Sequence, residues 1–250
     1  MGFVRSRRGR RAVGLALALL SACAGKAPPA PPAGFADAAD MTHNPALPFH
    51  RVWRDRAFDF TACDSICIAA VDTDYLLSQT WWQEVGRGSK AHADAVELGR
   101  EFRDCVVAAF RDDPLHRFAV VDEGVLEARR QRTLVLELAI VELVPNRAVL
   151  QVLTLPAGPM GLLARKGMDA LERTSIAFEG RVRDAASGAI VATVADREQK
   201  KSGLINVKNF TWYGHVREIL AEWADQFRLV ANKAPDEVVP DSPAWDLLPW

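Results

Sequence analysis

Several signatures that would assign chemistry to this sequence are missing. It contains no G-x-S-x-G nucleophile elbow. Gly86-Arg87-Gly88-Ser89-Lys90 lacks the spacing of a phosphate-binding loop and reads as a loop and helix cap. The five histidines, His43, His50, His92, His116 and His215, are scattered, and none forms H-E-x-x-H or a Cys/His cluster. No metal or other cofactor is therefore expected. The longest apolar run near the N-terminus, residues 12–20 (AVGLALALL), falls far short of the ~20 residues a membrane-spanning helix needs. A basic excess is missing too, since 31 Lys and Arg stand against 32 Asp and Glu. Nucleic acid is thus not an expected partner.

What is present at the N-terminus is an export signal. Residues 1–11 carry five arginines and no acid, residues 12–20 are apolar, and Leu20-Ser21-Ala22-Cys23 follows. This tetrad resembles the bacterial lipobox, a branched residue and two small ones before an invariant cysteine. The resemblance implies acylation of Cys23, cleavage in front of it, and a lipid anchor in which two or three chains hold stably where one does not. An ordinary secreted protein with an incidental Cys23 is the alternative. Ala24, in place of an Asp, favours the bacterial outer membrane, periplasmic face. Ser6-Arg7-Arg8 resembles a twin-arginine signal only faintly. Removal of residues 1–22 takes five of the 31 basic residues and leaves 26 against 32 acidic ones, a net charge near −6. Residues 23–48 are rich in Ala and Pro and predict an extended, mobile tether that lifts the body off the membrane.

The body is expected at residues 49–232, with apolar and charged fractions of 49% and 25% that suit one globular domain. Residues 66–71 (ICIAAV) read as a buried strand. Leu98, Phe102, Cys105, Val106, Ala109 and Phe110 line one face of a helix over 91–111, which Pro114 keeps from continuing. Residues 117–121 and 133–144 read as strands, with a turn at Pro145-Asn146 and a possible return strand at 148–153. Strands over 174–184 and 190–196 flank Ala185-Ala186-Ser187-Gly188 as a hairpin. Val216, Ile219, Leu220, Trp223, Phe227 and Val230 mark a last helix over 213–231. The expected fold is α/β (α+β): a mixed sheet of five to six strands with two main amphipathic helices packed on it, in a single domain. The tail, 233–250, is acidic and proline-rich and ends in Trp245, Leu247, Leu248 and Trp250. It is expected to fold back or stay disordered, with docking to a partner as the other course.

Four blocks carry a family resemblance. They are Ala70-Val71-Asp72-Thr73 with Tyr75-Leu76-Leu77, residues 135–145 (VLELAIVELVP), residues 175–186 (SIAFEGRVRDAA) with Ser187-Gly188, and residues 211–224 (TWYGHVREILAEWA). Together they resemble a group of proteobacterial lipoproteins known as a domain of unknown function (DUF3313-like). The resemblance spans most of residues 60–230 and implies a periplasm-facing lipoprotein, with no assigned activity.

The remaining candidates are few. An oxidising periplasm leads to the expectation of a disulfide between Cys105 and Cys63 or Cys67, with the third thiol buried. Trp81 and Trp82 are adjacent in a polar stretch, so one of them is a candidate binding anchor and core packing the alternative. Trp212, Tyr213 and His215 gather at a helix start, where a pocket or a structural histidine would both fit. Asp72 and Asp74, and again Asp122-Glu123, stand at strand ends, as acid/base groups or as solvent-facing terminators. Residues 158–167 (GPMGLLARKG) read as a loop packed on the sheet or touching a membrane or partner. The expected function is a non-enzymatic binding or scaffolding module whose partners are the bilayer, through Cys23, and an envelope protein or peptidoglycan. The alternatives are a periplasmic hydrolase of glycans or lipids using Asp72, Asp74 or His215, and a carrier of a small ligand or lipid.

Overall fold

Residues 133–144 and 173–184 pair antiparallel at the centre of one six-stranded sheet. The structure, a computed structural model, describes residues 26–37, 39–79, 82–83, 90–144, 173–201 and 214–241. The strands are β1 (Arg51–Arg54), β2 (Ser65–Ile68), β3 (Ala119–Val121), β4 (Thr133–Val144), β5 (Arg173–Asp184) and β6 (Ile190–Lys201). They lie in the order β1-β6-β5-β4-β2-β3. The β4, β5, β6 and β1 pairings are antiparallel, and β2 pairs in parallel with both β3 and β4. The described helices are α1 (Asp74–Leu77), α2 (Lys90–Arg111), α3 (Leu126–Arg129) and α4 (Gly214–Asn232). The α+β class expected from the sequence is the class observed.

One face of the sheet carries the main core. Leu134, Leu136, Leu138 and Ile140 of β4 and Ile176 and Phe178 of β5 point to the helix layer. Leu98, Phe102, Val106 and Phe110 of α2 meet them at a four-residue spacing, which keeps one stripe of the helix inward. Val216, Ile219, Leu220, Trp223 and Phe227 of α4 complete the layer. Phe178 and Trp223 pack edge to face with ring centres 4.6 Å apart. Each such side chain, fully buried, contributes about 1.5–3 kcal/mol. Gly180 is required in mid-strand because a Cβ there would lie 2.8 Å from Leu138 Cδ2.

Local chemistry sets the boundaries. Asp72 Oδ1 accepts from the Asp74 N–H at 2.7 Å and opens α1. The 185–188 hairpin turn is gathered by Asp184, whose carboxylate accepts from the Ala186 and Ser187 N–H groups and from the Ser187 hydroxyl. Gly188 supplies the positive φ of +73° that closes the turn. After α2, the buried Asp113 accepts from Asn232 Nδ2 at 2.8 Å and from the Leu115 and Arg117 N–H groups. It thereby ties the ends of the two long helices together.

Residues 27–242 form one compact unit, and of the remaining unit, 1–26 with 243–250, only Lys26 is described. The N-terminal stretch departs from the tether expected over 23–48. Within residues 27–48, Ala27, Phe35, Ala36 and Met41 are buried against the body. Proline and alanine do keep this chain extended, but an extended chain also docks where a surface offers it partners. The tail, as far as it is described, folds back: Val239 is buried and its N–H donates to the Ala46 carbonyl. The turn at Pro145-Asn146, the strand expected at 148–153 and the 158–167 loop lie outside the described residues.

Candidate functional site on the outer face of the sheet

The sheet face opposite the long helices is where the polar chemistry collects. Strand alternation sends Glu137, Glu142, Glu179, Arg181, Arg183 and Arg197 to that face. Alanines 139, 177 and 195 stand between them and leave room for a covering chain. Residues 27–37 and 39–42 cover those alanines as a strap. Phe35 packs on Ala139, Val141 and Ala177, and meets the Tyr75 ring edge to face at 5.7 Å. The Arg181 guanidinium lies 4.5 Å from the centre of the Phe35 ring.

Glu179 is the clamp. It is 2% exposed, and its carboxylate accepts three backbone N–H groups of the strap: Ala33 at 2.7 Å, and Phe35 and Ala36 at 2.9 Å each. Gly34, with φ of +90°, turns the chain so that these three donors converge. Charge-assisted bonds of this kind are about twice as strong as neutral ones. Carbonyls of the strap are held in turn. His50 Nε2 lies 2.6 Å from the Ala27 oxygen, Arg51 Nη2 donates to Ala30 at 3.0 Å, and Arg197 Nη1 donates to Pro28 at 3.3 Å. The other ring nitrogen of His50 lies 2.5 Å from Asp196 Oδ1, and Asp196 Oδ2 accepts from the Trp223 indole at 2.9 Å. The space between strap and sheet, lined by Pro29, Ala30, His50, Glu179 and Asp196, has a cavity volume of about 0 Å³. Thr42 then pairs with Val52 through two backbone bonds and covers the outer side of β1.

Beside the strap, an open cleft of about 370 Å³ is lined by Leu126 and Arg130, Val135 and Glu137, Arg183 and the 185–188 turn. Glu137 pairs with Arg181 and, at 3.2 Å, with Arg183. Arg183 also donates to the Gly188 carbonyl at 2.5 Å, so its guanidinium is fixed in place on one wall. Arg130, which also lines the cleft, pairs with the exposed Glu127. The cleft thus gathers two guanidinium groups, each already paired with a carboxylate, beside Leu126 and Val135.

The residues singled out in the sequence are not brought together. Trp82 is 1% exposed in the main core, so it is a packing residue and not an exposed binding anchor. Trp81, Trp212 and Tyr213 lie outside the described residues, as does Cys23. His215 is the second residue of α4, and its side chain is outside the description. The Asp72 carboxylate is used in the turn that starts α1, and Asp74 is exposed. The expected disulfide is not formed: Cys63, Cys67 and Cys105 are free thiols. Cys67 stands between Ile66 and Ile68, which face the helices, so alternation turns it to the opposite face from Cys105. Cys63 and Cys105 share the helix-side core without bonding. Burial pushes all three thiols above their ordinary range. Among the described residues, no group of three or more His, Cys, Asp and Glu side chains is placed to hold a metal ion.

Glu179, His50, Asp196 and Arg197 are the site residues that the sequence reading passed over. The alanines at outward positions of three neighbouring strands were the available signal, because a solvent-facing sheet surface seldom selects small side chains at its centre.

Several solved structures are similar to this chain. A hypothetical protein, CT253 from Chlamydia trachomatis, is 13% identical with a TM-score of 0.41, over 68% of this chain and 98% of that one. The PelC dodecamer from Paraburkholderia phytofirmans is 11% identical with a TM-score of 0.38, over 70% and 95%. Lipoprotein GNA1162 from Neisseria meningitidis is 11% identical with a TM-score of 0.25, over 68% and 99%. No curated protein matches. The family model described as a protein of unknown function (DUF3313) matches residues 34–227, from within the strap to α4, and the chain belongs to that family.

Proposed function

We propose that this protein is a lipoprotein, acylated at Cys23 and anchored in the bacterial outer membrane facing the periplasm, whose body is a non-enzymatic binding or scaffolding module of the cell envelope. The observation that supports it is the strap. The chain that follows the acylation motif is built into the fold, with Glu179, His50, Arg51 and Arg197 holding its backbone. An anchor joined so directly to the body suits a protein that works at the membrane. For partner contact, the body offers the three-residue edge strand β3, preceded in the chain by the exposed Leu115 and followed by the exposed Val125. A short strand at the end of the sheet suits a protein partner that adds an extended segment to it.

A second reading has one specific observation behind it. The cleft lined by Arg130 and Arg183 holds one guanidinium more than its lining carboxylate, Glu137, and so suits a small ligand with an anionic group, which a carrier or an enzyme would hold. Metabolic labelling with palmitate, membrane fractionation and crosslinking capture separate the readings, with Cys23→Ala as the control. Label that is lost in the control, together with one recurrent envelope protein or peptidoglycan fragment, is the expected result. Label retained by Cys23→Ala overturns the anchor. Capture of no partner, with a small anion bound at the cleft, moves the assignment to the second reading.

A further inference from the structure

The strap changes what the N-terminal chain does mechanically, and this bears on where the body stands. Composition alone makes residues 23–48 a flexible leash. Such a leash of 26 residues has a root-mean-square span of ~25–30 Å, and in fully extended polyproline form it reaches about 80 Å. In the structure the leash is taken up. Ala27 is buried, its carbonyl is held by His50, and the chain beyond it is fixed to the sheet at Pro28, Ala30, Ala33, Phe35, Ala36 and Thr42. Only four peptide units separate Cys23 from Ala27. At ~3.3–3.6 Å per residue, they span at most about 14 Å.

We infer that the strap is a spacer lock: it shortens the anchor so that the body rests against the phospholipid headgroups. The β1–β6 edge around His50, Arg51 and Arg197 is then the side nearest the bilayer. The inference rests on the acylation of Cys23 proposed above. Apposition here comes from covalent reach and not from charge, because the chain after Cys23 carries more acidic than basic residues. Arg51 and Arg197 are occupied in holding the strap. A partner of this protein is therefore met at the membrane surface, within the body's own height, and not across a span of periplasm. The three hydrogen bonds to Glu179 and the filled space under the strap keep the lock closed.

Neutron reflectometry of the full-length acylated protein on a supported bilayer of phosphatidylethanolamine and phosphatidylglycerol tests it. For the wild type, the protein layer is expected to begin within ~14 Å of the headgroups. Two variants lengthen the anchor in different ways. Insertion of 24 Gly/Ser residues after Ala24 leaves the strap docked and opens a hydrated gap of ~25–30 Å. The Glu179→Ala, His50→Ala double variant releases the strap and opens a similar gap. A wild-type layer separated from the headgroups by 25 Å or more of water overturns the spacer lock and leaves the anchor standing. A wild-type profile identical to that of the insertion variant overturns it as well. Absence of any protein layer overturns the acyl anchor itself, and the spacer lock with it.

Discussion

Replacing Glu179 by Gln isolates the clamp with the smallest change of shape. The carboxylate accepts one N–H at Oε1 and two at Oε2. An amide keeps its oxygen for the Phe35 and Ala36 pair and turns its NH₂ group toward the Ala33 N–H. One charge-assisted bond becomes two facing donors, and the other two bonds lose their charge. Bonds to a charged group contribute about 1.5–3 kcal/mol each, so the strap loses roughly 2–4 kcal/mol of docking free energy. At about 1.4 kcal/mol per decade, the strap opens ~30–1000 times more often. Native-state hydrogen exchange reads this directly. The Ala33, Phe35 and Ala36 amides should exchange faster by that factor, while amides in the middle of α2 and α4 change less than about threefold. The strap and the helix-side core sit on opposite faces of the sheet, so local opening need not disturb the core. Unchanged exchange at the three amides would show that Glu179 does not hold the strap. Equal acceleration in α2 and α4 would show that strap and core unfold as one.

Two further predictions test other parts of the fold. Burial pushes the Asp113 carboxyl up, but donors from Asn232, Arg117 and Leu115 and the nearby Arg228 outweigh it and hold the group below its ordinary value. Its stabilisation is therefore complete above the unfolded pKa of about 3.9 and is lost as pH falls through the lower folded value. Asp113→Asn should cost about 1–3 kcal/mol at pH 7 and flatten the fall in urea midpoint below pH 4; an unaltered slope refutes the assignment. For the thiols, half-buried Cys105 should react first with an aromatic disulfide reagent at pH 8, and buried Cys63 and Cys67 only on unfolding. Fewer than three free thiols in the unfolded, non-reduced chain would restore a disulfide.

The helix layer was legible because amphipathic spacing is local: the stripe from Leu98 to Phe110 and the one from Val216 to Phe227 need no knowledge of their partners. The hairpin was legible because Asp184 and Gly188 close the turn by themselves. The three twelve-residue strands start within a residue of where the sequence places them, though β6 runs on to Lys201, five residues past the expected end. Strand β1 was not seen, since Arg51-Val52-Trp53-Arg54 is too short and too charged to show a pattern, and it exists through its pairing with Val194 and Ala192. The strap is illegible in the sequence for a different reason. Alanine and proline fix local conformation, which was read correctly as extended, and say nothing of what lies 146 residues away at Glu179. That carboxylate in turn looked like an ordinary outward residue of an alternating strand. Its burial is a property of the pair, and neither half announces it. The pairing expected for Cys105 failed at Cys67 on strand parity alone, a point that the Ile66-Cys67-Ile68 alternation already contained.

Asp196 deserves a last consequence of its position. It joins His50, and through it the Ala27 carbonyl, to the Trp223 indole in the helix layer. A tension applied to the chain ahead of Ala27 thus enters the fold along two branches. One runs in shear through the strap to Glu179, and the other passes from ring to carboxylate to indole into α4. The carboxylate belongs to β6, so a pull at the N-terminus reaches a central strand and a long helix of the core at one residue.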